Sequence, residues 1–289
     1  MKAKEKRVGT KAQIRAEKEK ERRIATAIFL TIILLAVSFS AYFAYTLLVQ
    51  PSQNLIEPSL QFKPENPNPL LKAAIVDHLS LTMPNKTFME EAAAILVKAN
   101  YTVDYFSGEK VTVEFYRNLP AYGYNLIILR VHSAIREGTS LLALFTSEPY
   151  SKTKYVQEQW NDRVGIVAYH PGGATYFGIS KEFILYSMNG RFDKTAIIMM
   201  GCNGLQYTSV AEAFIQRGAK VYIGWNASIS QPHTDTGTTQ LLKHLITEKQ
   251  TIEQAVDNTM REVGPDPANN SFLLYYPLEA KDQKIENKS

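Results

Sequence analysis

The feature that most constrains this chain is the run "IATAIFLTIILLAVSFSAYFAYTLLV", residues 24–49, which carries no charged side chain over 26 residues. Roughly 20 apolar residues cross a bilayer as a helix, so this run is long enough to span one with some tilt. A cleaved signal peptide is the alternative, with "AYFA" (41–44) as a small-residue cleavage site. A signal h-region is usually about 7–15 residues long. This run is far longer, so a retained anchor contacting the bilayer through residues 24–49 is the expectation. Tyr42 and Tyr45 stand near its outer end, where amphipathic rings favour the interface. Residues 1–23 hold ten Lys/Arg against four Glu. That asymmetry keeps the N-terminus cytoplasmic and places everything after residue 50 outside the cell membrane, in single-pass topology.

The basic tail holds more than the whole net charge of +4, leaving the remainder slightly acidic. The main domain is therefore not read as a nucleic-acid binder. A single cysteine excludes an intrachain disulfide framework and a Cys-based zinc site. The histidines show no metal-ligand spacing, so neither a metal nor a cofactor is expected. Five Asn-x-Ser/Thr tripeptides (Asn85, Asn100, Asn226, Asn269, Asn287) all follow the span, in keeping with an exported domain.

Residues 50–70 contain five prolines and no helical or strand period, which predicts a semi-rigid stalk. From 71 to 278 the pattern becomes β then α, repeatedly. "AAIVD", "YTVDYF", "NLIILRV", "TAIIMMG" and "KVYIGW" read as buried strands. "TFMEEAAAILVKAN" opens with Thr87 and Glu90 in capping-box spacing, and Ser209 with Glu212 repeats it before "VAEAFIQRG". "EFYRNL" and a segment capped by Ser180 read as short helices, and "TGTTQLLKHLITE" and "IEQAVDNTMREVG" as longer ones. "SLLALFT" and "RVGIVAY" predict the two strands of an inserted hairpin, "YHPGG" (169–173) a turn between strands, and "SFLLYYP" a final strand. Residues 279–289 read as a polar tail. Apolar strands alternating with amphipathic helices imply an α/β fold, a mostly parallel sheet covered on both faces.

In such a sheet, sites form beyond the carboxyl ends of the strands. His132 follows "LIILRV" and Cys202 follows "AIIMMG". Taken singly, a strand-end cysteine reads as core filling. A His–Cys pair within hydrogen-bond reach is what thiol nucleophilic catalysis requires: the imidazole favours the thiolate, then protonates the leaving amine. Backbone N–H groups beside the cysteine and after the histidine are candidate oxyanion donors.

Strand-then-His and, about 70 residues on, strand-then-Cys resembles the caspase/gingipain-type cysteine peptidases (clan CD). "GCNGLQYTSVAEAFIQRGAKVYIGW" (201–225) is similar to the pattern of their CHAT and gingipain-like members: Cys-x-Gly, an Ala-containing helix, Gly-Ala, then a strand ending in Trp. The resemblance covers roughly residues 72–277. It implies a caspase-like three-layer α/β/α sandwich with Cys202 as nucleophile, His132 as general base and acid, oxyanion donors at the N–H groups of Cys202 and Ser133, and a polypeptide substrate. The family normally has Gly where Ser133 stands, which narrows the approach of a substrate backbone. Some members carry an acid directly after the strand-end Trp. Asn226 stands there instead, leaving Asp77 and Asp235 as substitute pocket acids and Trp225 as a pocket wall. A membrane-anchored cysteine endopeptidase is the main expectation. A catalytically inactive caspase-like binding or scaffold module is the alternative, and a Rossmann-like small-molecule site lacks its glycine fingerprint. Nothing in the sequence speaks to oligomeric state.

Overall fold

The computed structural model describes residues 2–48, 55–67 and 71–285, with side-chain surroundings in the first segment given for residues 15, 16 and 18–40. Contacts divide the chain into two units, residues 1–54 and 55–289. The first is one helix, α1 (Lys2–Leu48). Within it Lys18–Ser40 is long and apolar enough to cross a membrane. At 1.5 Å per residue its 23 residues reach about 34 Å, beyond the roughly 30 Å of a hydrocarbon core. The basic tail belongs to the same helix rather than preceding it. The side chains of Tyr42 and Tyr45, and the expected end of the span at Val49, lie outside the described residues.

The expected stalk is corrected in part. Residues 50–54 and 68–70 lie outside the described residues, but 55–67 belong to the folded unit and contain β1 (Leu60–Phe62), paired antiparallel with β3 (Thr102–Ser107). Tyr122 supplies the reason: its hydroxyl donates to Ile56 O at 3.0 Å and accepts from Ile56 N at 2.8 Å. Ser59 and Ser107 hydroxyls add a contact at 2.8 Å. Prolines flanking a three-residue edge strand are tolerated because an edge leaves one side unpaired.

β2 (Lys72–Asp77), β3, β4 (Leu126–Arg130), β9 (Ala196–Met199) and β10 (Val221–Trp225) form the parallel body of a seven-stranded sheet of order β1-β3-β2-β4-β9-β10-β11. β11 (Leu273–Tyr276) closes the far edge antiparallel. One face packs on α2 (Lys86–Lys98), α7 (Gln231–Leu242) and α8 (Ile252–Val263) through Ile75, Leu96, Ile128, Ile223, Leu241 and Ala255. The other packs on α3 (Val113–Asn118), α5 (Lys181–Tyr186) and α6 (Ser209–Gln216) through Val76, Phe115, Leu129, Phe183, Ile197 and Phe214. The result is a three-layer α/β/α sandwich with a mostly parallel sheet, as the alternation of elements implies. α7 runs on through a π turn, Lys243–Thr247.

Between β4 and β9 the inserted hairpin is instead a four-stranded antiparallel sheet. It comprises β5 (Ser133–Ile135), β6 (Leu142–Pro149), β7 (Val164–Ala168) and β8 (Thr175–Ile179), in the order β5-β6-β8-β7. β6 and β7 do not pair with each other, because β8 lies between them. A short helix, α4 (Val156–Trp160), joins the two halves. "YHPGG" is the β7–β8 turn. The helix caps also shift. Asn85, not Thr87, caps α2, accepting from Phe88 N–H at 3.1 Å while its amide donates to Asp235 at 2.8 Å. Thr208 precedes α6 and its hydroxyl donates to Glu212 at 2.6 Å.

Candidate active site

β4 and β9 are neighbours in parallel register, Leu126 facing Ala196 and Leu129 facing Met199. The offset is constant along the pair, so continuing it past the strand ends sets His132 level with Cys202. The two loops touch. A side chain at Gly201 would strike Val131 O, and would lie 2.5 Å from both Ser133 Oγ and Met199 Cε. The Ser133 hydroxyl donates to Cys202 O at 2.6 Å, bolting the histidine loop to the cysteine loop. Ser133 therefore does a specific job here.

His132 is half-buried. Its Nε2 pairs with the Thr82 hydroxyl at 2.9 Å, which leaves Nδ1 as the ring nitrogen open to another partner. Phe145 and Tyr169 pack on the ring at centroid distances of 5.9 and 5.1 Å. His78, one residue past the end of β2, meets it edge-on at 5.8 Å. Burial, then the nearby Arg130 guanidinium, hold the His132 imidazole below its ordinary range. His78 is fully buried, with Nε2 on the Tyr169 hydroxyl at 3.0 Å. Burial and then His132 push it down to about 4.

Cys202 is partly buried. Its thiol is bracketed by the backbone of one residue, accepting from Ile229 N–H at 3.5 Å and donating to Ile229 O at 3.7 Å. In this arrangement the thiol and His132 do not hydrogen-bond to each other. The loop carrying Ile229 is itself fixed. Asp266, buried, accepts from the Ser230 N–H at 3.1 Å and from the Ser230 hydroxyl, and from Asn269 N–H at 2.8 Å. Asn203, in the left-handed region at φ 58, turns the chain away after the cysteine.

The remaining expected residues lie elsewhere. Asp77 and Asp235 close around Arg130, whose guanidinium is fully buried: Nη1 donates to Asp77 at 2.7 Å, Nε and Nη2 to Asp235 at 2.8 and 3.0 Å. Nη2 also donates to Met83 O at 2.9 Å, and Gln231 adds a bond to Asp235. Burial raises the Asp77 carboxyl against the pull of Arg130. Both carboxylates are thus spent inside the protein, and neither faces a cleft. Trp225 is 0 % exposed; its indole N–H donates to Thr234, whose hydroxyl donates to Met200 O at 3.0 Å, which is core packing rather than a wall. Thr82, His78 and Ile229 were not legible as site residues. Thr82 and Ile229 act through a distant contact and a backbone group, whereas His78 carried a signal in its place at the end of the first parallel strand. Among the described residues no group of three or more His, Cys, Asp or Glu is placed to hold a metal ion.

No protein-family model matches this chain, and no curated protein matches it. Among solved structures, the Arg-specific cysteine proteinase gingipain R (RGPB) is similar over 70% of this chain at 12% identity and a TM-score of 0.42. The match covers 44% of that protein, so this chain spans less than half of its length. A likeness of this strength does not assign an activity.

Proposed function

We propose that the folded unit is a cysteine peptidase in which Cys202 and His132 act as a dyad, displayed outside the cell membrane by α1. The observation that supports this reading is the parallel register of β4 and β9, which extends to His132 beside Cys202, with the loops that carry them in contact. The thiol would give its proton to His132 Nδ1 and attack the substrate carbonyl carbon. Thr82 on Nε2 orients the ring for that transfer. The oxyanion would face the N–H groups of Cys202 and Ser133. What supports the Ser133 donor is that Phe145 N–H bonds to His132 O, so alternation along the antiparallel pair turns the next N–H away from β6. The amine leaves with the proton from His132, and water then hydrolyses the thioester. Because the His132 imidazole is held below its ordinary 6.5, it stays a base in more acidic solution. The acid limb of kcat/KM is expected below pH 6.5.

A second reading, an inactive binding module, is favoured by one observation: the thiol is engaged by Ile229 and the imidazole by Thr82, not by each other. Apo sites often tighten only with substrate bound, so the dyad is preferred. Digestion of a peptide library by the full chain and by Cys202→Ala separates the two. Cleavage lost in the variant supports the peptidase; no cleavage by either supports the module.

A further inference from the structure

The second sheet carries a groove of about 810 Å³ that the dyad does not use. Leu142, Leu144, Val164, Phe177 and Ile179 face the core. By strand alternation, Ala143, Phe145, Gly165, Val167 and Gly178 face the groove. Its floor leads from the candidate dyad. Phe145 N–H donates to His132 O at 3.0 Å, Phe145 faces Gly178, and Gly178 faces Gly165, so one row across the sheet reads His132–Phe145–Gly178–Gly165. Phe145 and Tyr169 wall the groove and are the rings that pack on His132. The floor is low at its far side, where a Cβ on Gly165 would meet nothing within 4 Å. Ile166 beside it is 58 % exposed. The lining's charged groups, Arg136, Glu137 and Asp162, stand at the end remote from Tyr169, with Arg136 and Asp162 paired at 3.4 Å. At the His132 end Asp77 and Asp235 are closed around Arg130, so neither carboxylate is left to meet a basic side chain.

Resting on the His132/Cys202 reading above, we propose that this groove is a substrate subsite, taking an extended polypeptide segment with a large apolar side chain of the Leu or Phe class. A chain lying over the open floor at Gly165 meets the Val167 side chain that covers Gly178, and beyond it Phe145 and the His132 ring in the same row. The volume falls in the range of ligand clefts, roughly 300–1,000 Å³.

The test uses the full chain in detergent as Cys202→Ala, so that bound peptide is not cut, and short fluorescent peptides differing at one position: Phe, Arg or Asp. The Phe peptide is expected to bind about tenfold or more tightly than the other two, the ordinary worth of burying such a side chain. Gly165→Phe, whose ring enters open space, should abolish that preference. Ile166→Asp, on the exposed edge, should weaken it. Equal binding of the three peptides, tightest binding of the Arg peptide, or a preference untouched by both variants overturns the subsite. Apolar-selective binding with no cleavage by the unsubstituted chain upholds the groove and overturns the peptidase. Cleavage indifferent to the apolar position overturns the groove and leaves the dyad standing.

Discussion

A methyl group at position 201 would collide with Val131 O and with Ser133 Oγ, the two residues that flank His132. Gly201→Ala is therefore expected to separate the two loops, lowering both thermal stability and the reactivity of Cys202. Unchanged values of both would mean that the loops have room to give. Ser133→Ala removes one hydrogen bond and should cost about 1 kcal/mol, read as a shift in the urea midpoint. His78 gives a pH signature. The unfolded chain takes up a proton as pH falls through 6.5, whereas the folded imidazole stays neutral down to about 4. Stability therefore falls between those values by up to about 1.4 kcal/mol per pH unit. His78→Phe should flatten urea midpoints between pH 7 and 5, and an equally steep profile in the variant would count against a buried neutral imidazole. The placement of His132 and Cys202 just past neighbouring strands was legible in the sequence because each follows an apolar run of buried-strand type. Asp77 and Asp235 were misleading because Arg130, which occupies both, reaches Asp235 across 105 residues.

Arg130 joins the ends of β2 and β4 to Asp235 of α7, and no other side chain links those three elements by charge among the described residues. Arg130→Met leaves two buried carboxylates facing each other without a cation. A loss of about 3–5 kcal/mol is expected, measured by denaturant unfolding of the full chain in detergent; a loss under 1 kcal/mol would show the network to be open to water. The parallel strands were readable because each carries a run of buried apolar residues, as strands covered on both faces do. The second sheet was readable only in part. β5 has three residues, and β8 is short, partly exposed and interrupted by Gly178, so neither a run nor a strict alternation marks them. β1 was hidden among prolines, and its partner β3 lies some 40 residues on. The cap of α2 shifted to Asn85 because its amide reaches Asp235, a contact no local pattern displays.

At the scale of the whole molecule, an apolar helix and a folded α/β unit are separate bodies of one chain. The full chain should stay with membranes through alkaline carbonate washing, and a chain beginning at Leu55 should be released; a full chain stripped by carbonate would argue for a cleaved or peripheral segment. The central claim is that Cys202 is activated by His132, and the single cysteine makes it directly measurable. The measurement is the rate of iodoacetamide alkylation of the folded full chain across pH 5 to 9, with and without His132→Ala. Fast labelling of Cys202 in the folded chain is expected, slowed about tenfold or more in the variant. Labelling that appears only on unfolding, or a profile the variant leaves unchanged, would contradict it.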